Sequence, residues 1–200
     1  LATLRGYLTL IERRPQEESI NDFLSEMRRE SDHLQRVLED FLAFARPETT
    51  RIEAVNLAQV VRRAAADPAL EGTVVNLEIE DTPLHTLQGD SQLLERAIRN
   101  LLHNAVEAQS GIGVEEPVQT RLSTDQRRVE LVIEDRGPGL PGPVRERLFQ
   151  PFVTGRPEGV GLGLSLTHRI VTLHGGTVDL EDRPEGGTRV TLSFPVGVFE

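Results

Sequence analysis

The chain has 200 residues, of which 38% are hydrophobic and 27% charged, enough for one full domain with a smaller element beside it. Its formal net charge of -10 argues against a nucleic-acid surface, which requires a basic stripe, so we expect no nucleic-acid partner. The absence of cysteine excludes disulfides and catalysis by a thiolate.

No apolar run approaches the roughly 20 residues that a membrane-spanning helix needs, and no signal peptide opens the chain. We therefore expect a cytoplasmic protein that reaches a membrane only through regions outside this chain. The chain starts at Leu1, inside a helical pattern and without a methionine, which indicates a fragment of a longer protein.

Residues 1–47 carry apolar side chains at alternating steps of three and four, the spacing of a coiled-coil or bundle seam. The seam comprises Leu1, Leu4, Leu8 and Ile11, and then Ile20, Leu24, Met27, Leu34, Leu38 and Phe41. Residues 15–18 are the predicted turn between two helices, and Pro47 ends the second. Because a lone hairpin cannot enclose both sides of the seam, we expect a homodimer in which two hairpins form a four-helix bundle. The alternative is a hairpin packed on its own domain.

From Ile52 onward the pattern becomes one of mixed strands and helices. Predicted strands cover residues 55–57, 74–80, 84–88, 118–123, 128–135, 177–181 and 188–194, with 84–88 paired to 74–80 and a hairpin turn at 124–127. Predicted helices cover residues 57–66, 90–108 (capped by Asp90 or Ser91), 143–149 and 162–174. This order predicts an α+β fold, in which the helical hairpin is followed by a sandwich of an antiparallel or mixed sheet with helices on one face.

Two asparagines stand four residues apart in the segment Asn100-Leu-Leu-His-Asn104 and therefore share one helix face. Their oxygens suit a hard cation such as Mg2+, with phosphate oxygens and water as its other ligands. Alone, the pair is more typical of solvated or capping asparagines.

The segment Asp135-Arg-Gly137-Pro-Gly139 follows an apolar strand. A carboxylate at a strand end can accept a hydrogen bond from a purine amino group, and the glycines let the backbone approach the base closely. An ordinary loop is the equally open alternative, since Gly and Pro are common in turns.

The segment Gly159-Val-Gly161-Leu-Gly163-Leu164 opens a predicted helix, where exposed amides and the helix dipole favour a phosphate. It is neither the dinucleotide fingerprint nor a P-loop, because its third glycine is one residue early and no Gly-Lys-Ser/Thr follows. Residues 150–156 precede it and predict a mobile lid with Arg156 near the phosphates. Residues 186–188 by themselves indicate a hairpin turn.

In order and spacing these segments resemble the motifs of the ATPase domain shared by histidine kinases, gyrase, heat-shock protein 90 and the mismatch-repair protein MutL. The matching segments are the N box (100–108), the G1 box (135–139), the F box (149–152), the G2 box (159–163) and the last glycine motif (186–188). The resemblance spans residues 52–197. Residues 1–8 and 40–47 are similar to the phosphoacceptor hairpin of sensor histidine kinases, and residues 173–176 favour the nitrogen-regulation-like branch.

The resemblance implies a role for each site residue. Asn104 would hold Mg2+, and Asn100 would assist near the phosphates of ATP. Asp135 would read the adenine amino group, and Thr188 would lie beneath the base. The other predicted nucleotide-binding residues would shape the adenine pocket or carry the lid and the phosphate-binding helix end: Gly137, Gly139, Arg156, Gly159, Gly161, Gly163 and Leu164.

The resemblance further implies a kinase that binds ATP with Mg2+ and transfers the γ-phosphoryl group to a histidine just upstream of Leu1. The phosphoryl group would then pass to an aspartate in the receiver domain of a response regulator. This chain would therefore contain no catalytic residue of its own. It departs from the family at Glu107, where a Lys is frequent, and at Arg156, which replaces the Lys of this branch and keeps its charge.

Two other functions remain open. The first is an ATP-hydrolysing clamp of the gyrase or heat-shock protein 90 type, although its water-activating Glu would stand where this chain has Asn100. The second is a nucleotide-binding dimeric regulator without kinase activity. A serine kinase of the anti-sigma type would lack the hairpin.

No pair of the five histidines has a spacing typical of metal ligands. We expect His33 on a solvated or dimer-facing surface and His85 on the surface. We expect His103, His168 and His174 to be structural.

Overall fold

The computed structural model describes residues 24, 25, 27, 28, 31, 42, 51–70, 74–80, 82, 85–125, 127–140, 142, 147–154 and 161–196. The chain divides into two compact units, Leu1–Pro47 and Glu48–Glu200. In the first unit the six described residues are all helical. The predicted seam, turn and helix ends otherwise lie outside the described residues, as do His33, Arg156 and Gly159.

The second unit contains seven strands and three α-helices among its described residues. In chain order these are β1 (Glu53–Asn56), α1 (Leu57–Ala65), a 3-10 turn (Pro68–Leu70), β2 (Val75–Ile79), β3 (Thr86–Gly89), α2 (Ser91–Ser110), β4 (Val118–Thr124), β5 (Arg128–Glu134), α3 (Gly163–Leu173), β6 (Thr177–Asp182) and β7 (Thr188–Pro195). In the part of the chain that is described, no helix is long and apolar enough to cross a lipid bilayer.

The main sheet has five strands in the order β2-β4-β5-β7-β6. Strand β2 runs parallel to β4, and the other neighbours are antiparallel. In the β4–β5 hairpin Thr124 is still part of β4 and lies opposite Val129, so the turn begins one residue later than the predicted range 124–127. Asp125 Oδ1 closes this turn by accepting the backbone N–H groups of Arg127 and Arg128. The mixed sheet confirms the predicted α+β class.

The predicted pairing of residues 84–88 with 74–80 is wrong. Strand β3 pairs with β1 in a separate antiparallel ribbon, with Val55 opposite Leu87, while β2 pairs with β4. Both Val55 and Leu87 are buried in the core. A backbone bond from Leu57 N–H to His85 O, 2.7 Å long, also holds the start of β3 beside the start of α1. Burial of Val55 and Leu87 favours the pairing of β3 with β1. The alternation of apolar residues within β3 alone does not indicate which strand it pairs with.

The three helices pack on one face of the sheet. The alternating strand residues that face them are apolar, and they form one core with the inward stripes of the helices. The core includes Val60, Val61, Leu94, Ile98, Leu101, Leu102, Ala105, Val118, Leu122, Leu131, Ile133, Val171, Leu192 and Phe194. The opposite face is polar and carries cross-strand ion pairs such as Arg121 with Glu78 and Arg189 with Glu134.

Helix α2 begins at Ser91, and Asp90 is its N-cap, which decides between the two predicted caps. The Asp90 Oδ1 atom accepts the backbone N–H groups of Gln92 and Leu93 at 3.0 and 3.2 Å, which satisfies two of the four amides that a helix start leaves open. The Asp90 N–H donates to His174 Nε2 at 2.9 Å, so the end of α3 is joined to the start of α2. Of the predicted helix at 143–149, residues 147–149 form a turn and 143–146 lie outside the described residues.

Candidate functional site

Asp135 lies directly after β5 and is buried, with 6% of its surface exposed. Its Oδ1 atom accepts the backbone N–H of Gly137 at 2.7 Å and that of Thr188 at 3.1 Å. Its own N–H donates to the backbone oxygen of Thr188 at 3.0 Å. The carboxylate is therefore fixed between the loop that follows β5 and the start of β7, where Thr188 lies beside it.

The loop after Asp135 packs against the end of α2, and this contact explains Gly137. A Cβ atom at this position would lie 2.7 Å from the Cβ of Ala108, closer than real side chains approach. The backbone N–H of Arg136 donates to Gln109 Oε1 at 3.0 Å, and Gln109 Nε2 donates to the backbone oxygen of Glu116 at 2.5 Å. The N box and the G1 box are thus parts of one packed unit.

Gln109 is a site residue that the sequence analysis missed. It is 1% exposed, and its carboxamide hydrogen-bonds the backbone beside Asp135. A signal was present, because Gln109 follows Ala105 by four residues and so falls on the buried face of the helix. A buried carboxamide on that face indicates a hydrogen-bonded role.

The glycine turn before β7 approaches Asp135 from the other side. Gly187 has a φ of +93°, and a Cβ atom there would overlap the backbone oxygen of Asp135. That oxygen accepts a hydrogen bond from Arg183 Nη1 at 2.8 Å, a second contact that the sequence analysis missed. Gly139 also has a positive φ, +79°, in the loop beside this turn. The turn at 186–188 is therefore part of the wall of the site as well as a hairpin.

Asn100 contacts α3. Its Nδ2 atom donates to Thr167 Oγ1 at 2.9 Å, and Thr167 is fully buried. A Cβ atom at Gly163 would lie 2.9 Å from Asn100 Nδ2 and 3.0 Å from Asn100 Cγ, so the glycine leaves the space that the carboxamide occupies. Asn104 is half-buried one turn farther along α2. Within the described residues, no group of three or more His, Cys, Asp or Glu side chains could hold a metal ion.

Helix α3 begins at Gly163 without a capping side chain. Its N-cap residue, Leu162, makes no side-chain capping bond, so the first amides are not satisfied by a cap. Gly161, with a φ of +71°, accepts the backbone N–H of Phe152 at 3.0 Å. Phe152 itself has a φ of +65° and is 63% exposed. Leu164 is half-buried and packs on the core.

Among the described residues, His103, His168 and His174 make structural contacts, as expected, whereas the expectation for His85 needs correction. His85 is 1% exposed, and the prediction of a surface position is wrong. Its Nε2 is hydrogen-bonded to Glu80 O at 2.8 Å and its Nδ1 to Thr124 Oγ1 at 2.5 Å, so both nitrogens of the buried ring have partners. His103 pairs with Asp67 at 3.1 Å, and the ring of His168 stacks on Phe149.

Two family models match the chain. Residues 89–198 match "Histidine kinase-, DNA gyrase B-, and HSP90-like ATPase", and residues 1–50 match "His Kinase A (phospho-acceptor) domain". The first match covers the site just described, from the cap of α2 to the end of β7.

Similar proteins are sensor kinases. The signal transduction histidine-protein kinase AtoS of Escherichia coli is 29% identical over 98% of this chain, and the nitrogen regulation protein NtrY of Azorhizobium caulinodans is 32% identical over 79%. Among solved structures, the mycobacterial sensor histidine kinase MprB is 31% identical with a TM-score of 0.63, covering 74% of this chain and all of that one. The chain spans 32% of AtoS and 21% of NtrY, so these relatives are much longer.

Proposed function

The chain belongs to the sensor histidine kinases of two-component systems, and from this premise we propose that its second unit presents ATP, bound with Mg2+, to a phosphoacceptor histidine. The observation that carries the proposal is the arrangement of Asp135. A buried carboxylate is held by the Gly137 and Thr188 amides beside a loop that admits no side chain at position 137. This is the environment that recognition of an exocyclic amino group on a purine needs.

The adenine would lie against the G1 loop and the turn before β7. In this proposal Asp135 accepts a hydrogen bond from the adenine amino group, and Thr188 lies under the base. Gly137 and Gly139 shape the loop without side chains in the way. A hydrogen bond to a charged acceptor contributes about 1.5–3 kcal/mol, enough to select adenine from bases without an amino group at that place.

The phosphates would lie toward the amino-terminal end of α3. The helix dipole and the uncapped first amides favour an anion there, and α3 follows the glycines at 161 and 163. In the same proposal Arg156, Gly159 and Leu164 complete the contacts to the nucleotide, on the basis of the family motif alone.

Mg2+ fits the donors on α2, because Asn104 supplies an amide oxygen of the type that this hard cation prefers. When bound, the metal would neutralise charge on the phosphates. Asn104 would hold it, with Asn100 close by on the same helix face. Since α2 also carries Gln109, one rigid helix would orient both the metal end and the base end of the nucleotide.

Transfer of the γ-phosphoryl group depends on positioning and charge neutralisation more than on a covalent intermediate with this unit. The bond from the γ-phosphorus to its bridging oxygen breaks, a bond to a histidine nitrogen forms, and ADP leaves. We place the acceptor histidine just before Leu1, on the first hairpin helix, and propose that two hairpins form the homodimer. The receiver aspartate of a response regulator would then take the phosphoryl group.

A hydrolytic clamp lacks its general base here. The position four residues before Asn104 is Asn100, whose Nδ2 donates to Thr167, and a carboxamide cannot take a proton from water. Steady-state ATP turnover should therefore be slow.

The test uses γ-labelled ATP with a longer form of the protein that includes the residues before Leu1. We expect acid-labile, base-stable label on the longer protein, and none when its upstream histidine is replaced by Gln. The 200-residue chain should bind ATP without becoming labelled. Label on the 200-residue chain alone, or rapid ATP hydrolysis without label, would contradict the proposal.

A further inference from the structure

A side-chain hydrogen bond joins Asn100, in the middle of α2, to Thr167, in the second turn of α3. The Asn100 Nδ2 to Thr167 Oγ1 distance is 2.9 Å, and Thr167 is fully buried. Thr167 is not part of any of the sequence motifs, and no part of its side chain is exposed to solvent. A buried hydroxyl that accepts a hydrogen bond from the half-buried Asn100 carboxamide restricts the rotation of that carboxamide.

Gly163 completes the arrangement. It is the first residue of α3, and Thr167 follows it by four residues, so the two share one helix face. The space that a side chain at Gly163 would need is filled by the Asn100 carboxamide, whose Nδ2 and Cγ atoms would lie 2.9 and 3.0 Å from an added Cβ. The Asn100 carboxamide therefore explains the glycine at position 163, and its φ does not, because φ is positive at Gly161 but not at Gly163.

We propose that Thr167 is a positioning residue of the magnesium–nucleotide site, which holds the Asn100 carboxamide against Gly163 and so fixes the start of α3 relative to the asparagine face of α2. This inference rests on the proposed function, since it concerns the phosphate and metal end of the same site. Thr167 acts through Asn100 and does not touch the nucleotide.

The proposed base end and the proposed phosphate end of the site are held by different contacts. Asp135, at the base end, is held by Gly137, Thr188 and the Gln109 contact, none of which involves Thr167. Loss of the Thr167 hydroxyl should therefore weaken contacts to the phosphates and Mg2+ and leave contacts to adenine intact. A residue that merely supports α2–α3 packing would not discriminate between the two ends.

The experiment compares Thr167→Val, which keeps the shape and removes the acceptor, with Thr167→Ser, which keeps the hydroxyl. Calorimetry gives the Kd for ATP with Mg2+, and chemical-shift titration gives the Kd for adenosine. We expect Thr167→Val to raise the Kd for ATP with Mg2+ roughly three- to tenfold, the size expected for one neutral hydrogen bond. Adenosine binding should change less than about twofold, and Thr167→Ser should bind ATP like the wild type.

A double-mutant cycle tests the route of the effect. In an Asn100→Ala background, Thr167→Val should add no further loss of ATP affinity, because its effect passes through Asn100. Equal losses for ATP and adenosine, an unchanged ATP affinity in Thr167→Val, or additive losses in the cycle would each overturn the inference. If the wild type binds ATP and one of these results is found, only this inference fails. If the wild type does not bind ATP, the proposed function fails with it.

Discussion

The side-chain oxygen of Gln109 accepts the backbone N–H of Arg136 at 3.0 Å, and this bond fastens the loop after Asp135 to the end of α2. Because α2 also carries Asn100 and Asn104, the helix connects the proposed base and metal ends of the site. The Gln109 Nε2 atom donates to Glu116 O, so both ends of the buried carboxamide are satisfied.

Replacing Gln109 by Leu should cost stability and nucleotide affinity together. The substitution leaves the Arg136 amide and the Glu116 carbonyl without this partner, and each lost hydrogen bond should cost about 0.5–1.5 kcal/mol. Urea unfolding and an ATP titration measure the two effects.

Gln92→Leu on the exposed first turn of α2 is the matched control and should stay within about 0.5 kcal/mol of the wild type. If Gln109→Leu behaved like Gln92→Leu, the proposed anchoring of the loop would be refuted.

Gly186 and Gly187 offer a pair with nearly the same backbone strain and different surroundings. Their φ angles are +92° and +93°, but a Cβ atom at Gly186 meets nothing within 4 Å, whereas one at Gly187 overlaps the backbone oxygen of Asp135. Gly186→Ala should therefore cost only the left-handed backbone penalty, about 1–2 kcal/mol. Gly187→Ala should destabilise the protein more and should also displace Asp135, which lowers ATP affinity. Thermal unfolding measures the loss of stability, and calorimetry measures the affinity. Equal effects of the two substitutions would show that the turn does not support the site.

We expect the ionised Asp90 carboxylate to stabilise the folded protein, and this contribution to be lost in acid. Burial alone would raise its pKa, but hydrogen bonds from the backbone N–H groups of Arg51, Leu93 and Gln92 outweigh burial and hold the pKa below its ordinary value of 3.8. A lowered folded-state pKa stabilises the fold above the unfolded-state value and loses that contribution as the pH falls through the folded-state value. The wild type should thus lose stability as the pH drops below about 4.

The comparison is urea unfolding of the wild type and Asp90→Asn across this range. Asn still caps a helix, so the variant should remain folded at neutral pH and should lack this acid-dependent loss. An identical pH dependence in both proteins would rule Asp90 out as its source.

Asn104→Ala should weaken ATP binding chiefly when Mg2+ is present. Loss of one ligand to a charged centre should raise the Kd roughly ten- to hundredfold, and higher Mg2+ should partly restore binding. Titrations at several Mg2+ concentrations measure this. Asn76→Ala, on the exposed edge strand β2, is the matched control and should bind like the wild type. A loss that was the same with and without Mg2+ would place Asn104 away from the metal.

Local signals in the sequence were sufficient for most elements. Asp90 caps α2, and the hairpin of β4 and β5 turns where polar residues interrupt two alternating runs. The partner of β3 could not be predicted, because the choice between β1 and β2 depends on a long-range contact, the burial of Val55 against Leu87.

For the site, as for the fold, local sequence signals were predictive and long-range contacts were not. The ordered motifs pointed to Asp135 and the glycines around it, because each has a local chemical reason. The Gln109 anchor and the Thr167 contact join segments that lie far apart in sequence, and their residue types are unremarkable in isolation. His85 was misplaced for a related reason: its partners, Glu80 O and Thr124 Oγ1, become visible only when β3 and β4 are folded.

The most direct measurement is calorimetric titration of the 200-residue chain with a non-hydrolysable ATP analogue, with and without Mg2+, for the wild type and Asp135→Asn. The variant keeps an oxygen for the Gly137 and Thr188 amides, so its fold should survive. We expect the wild type to bind, more tightly with Mg2+, and Asp135→Asn to bind roughly ten- to hundredfold more weakly. No binding by the folded wild type, or equal affinity in the two proteins, would contradict the account.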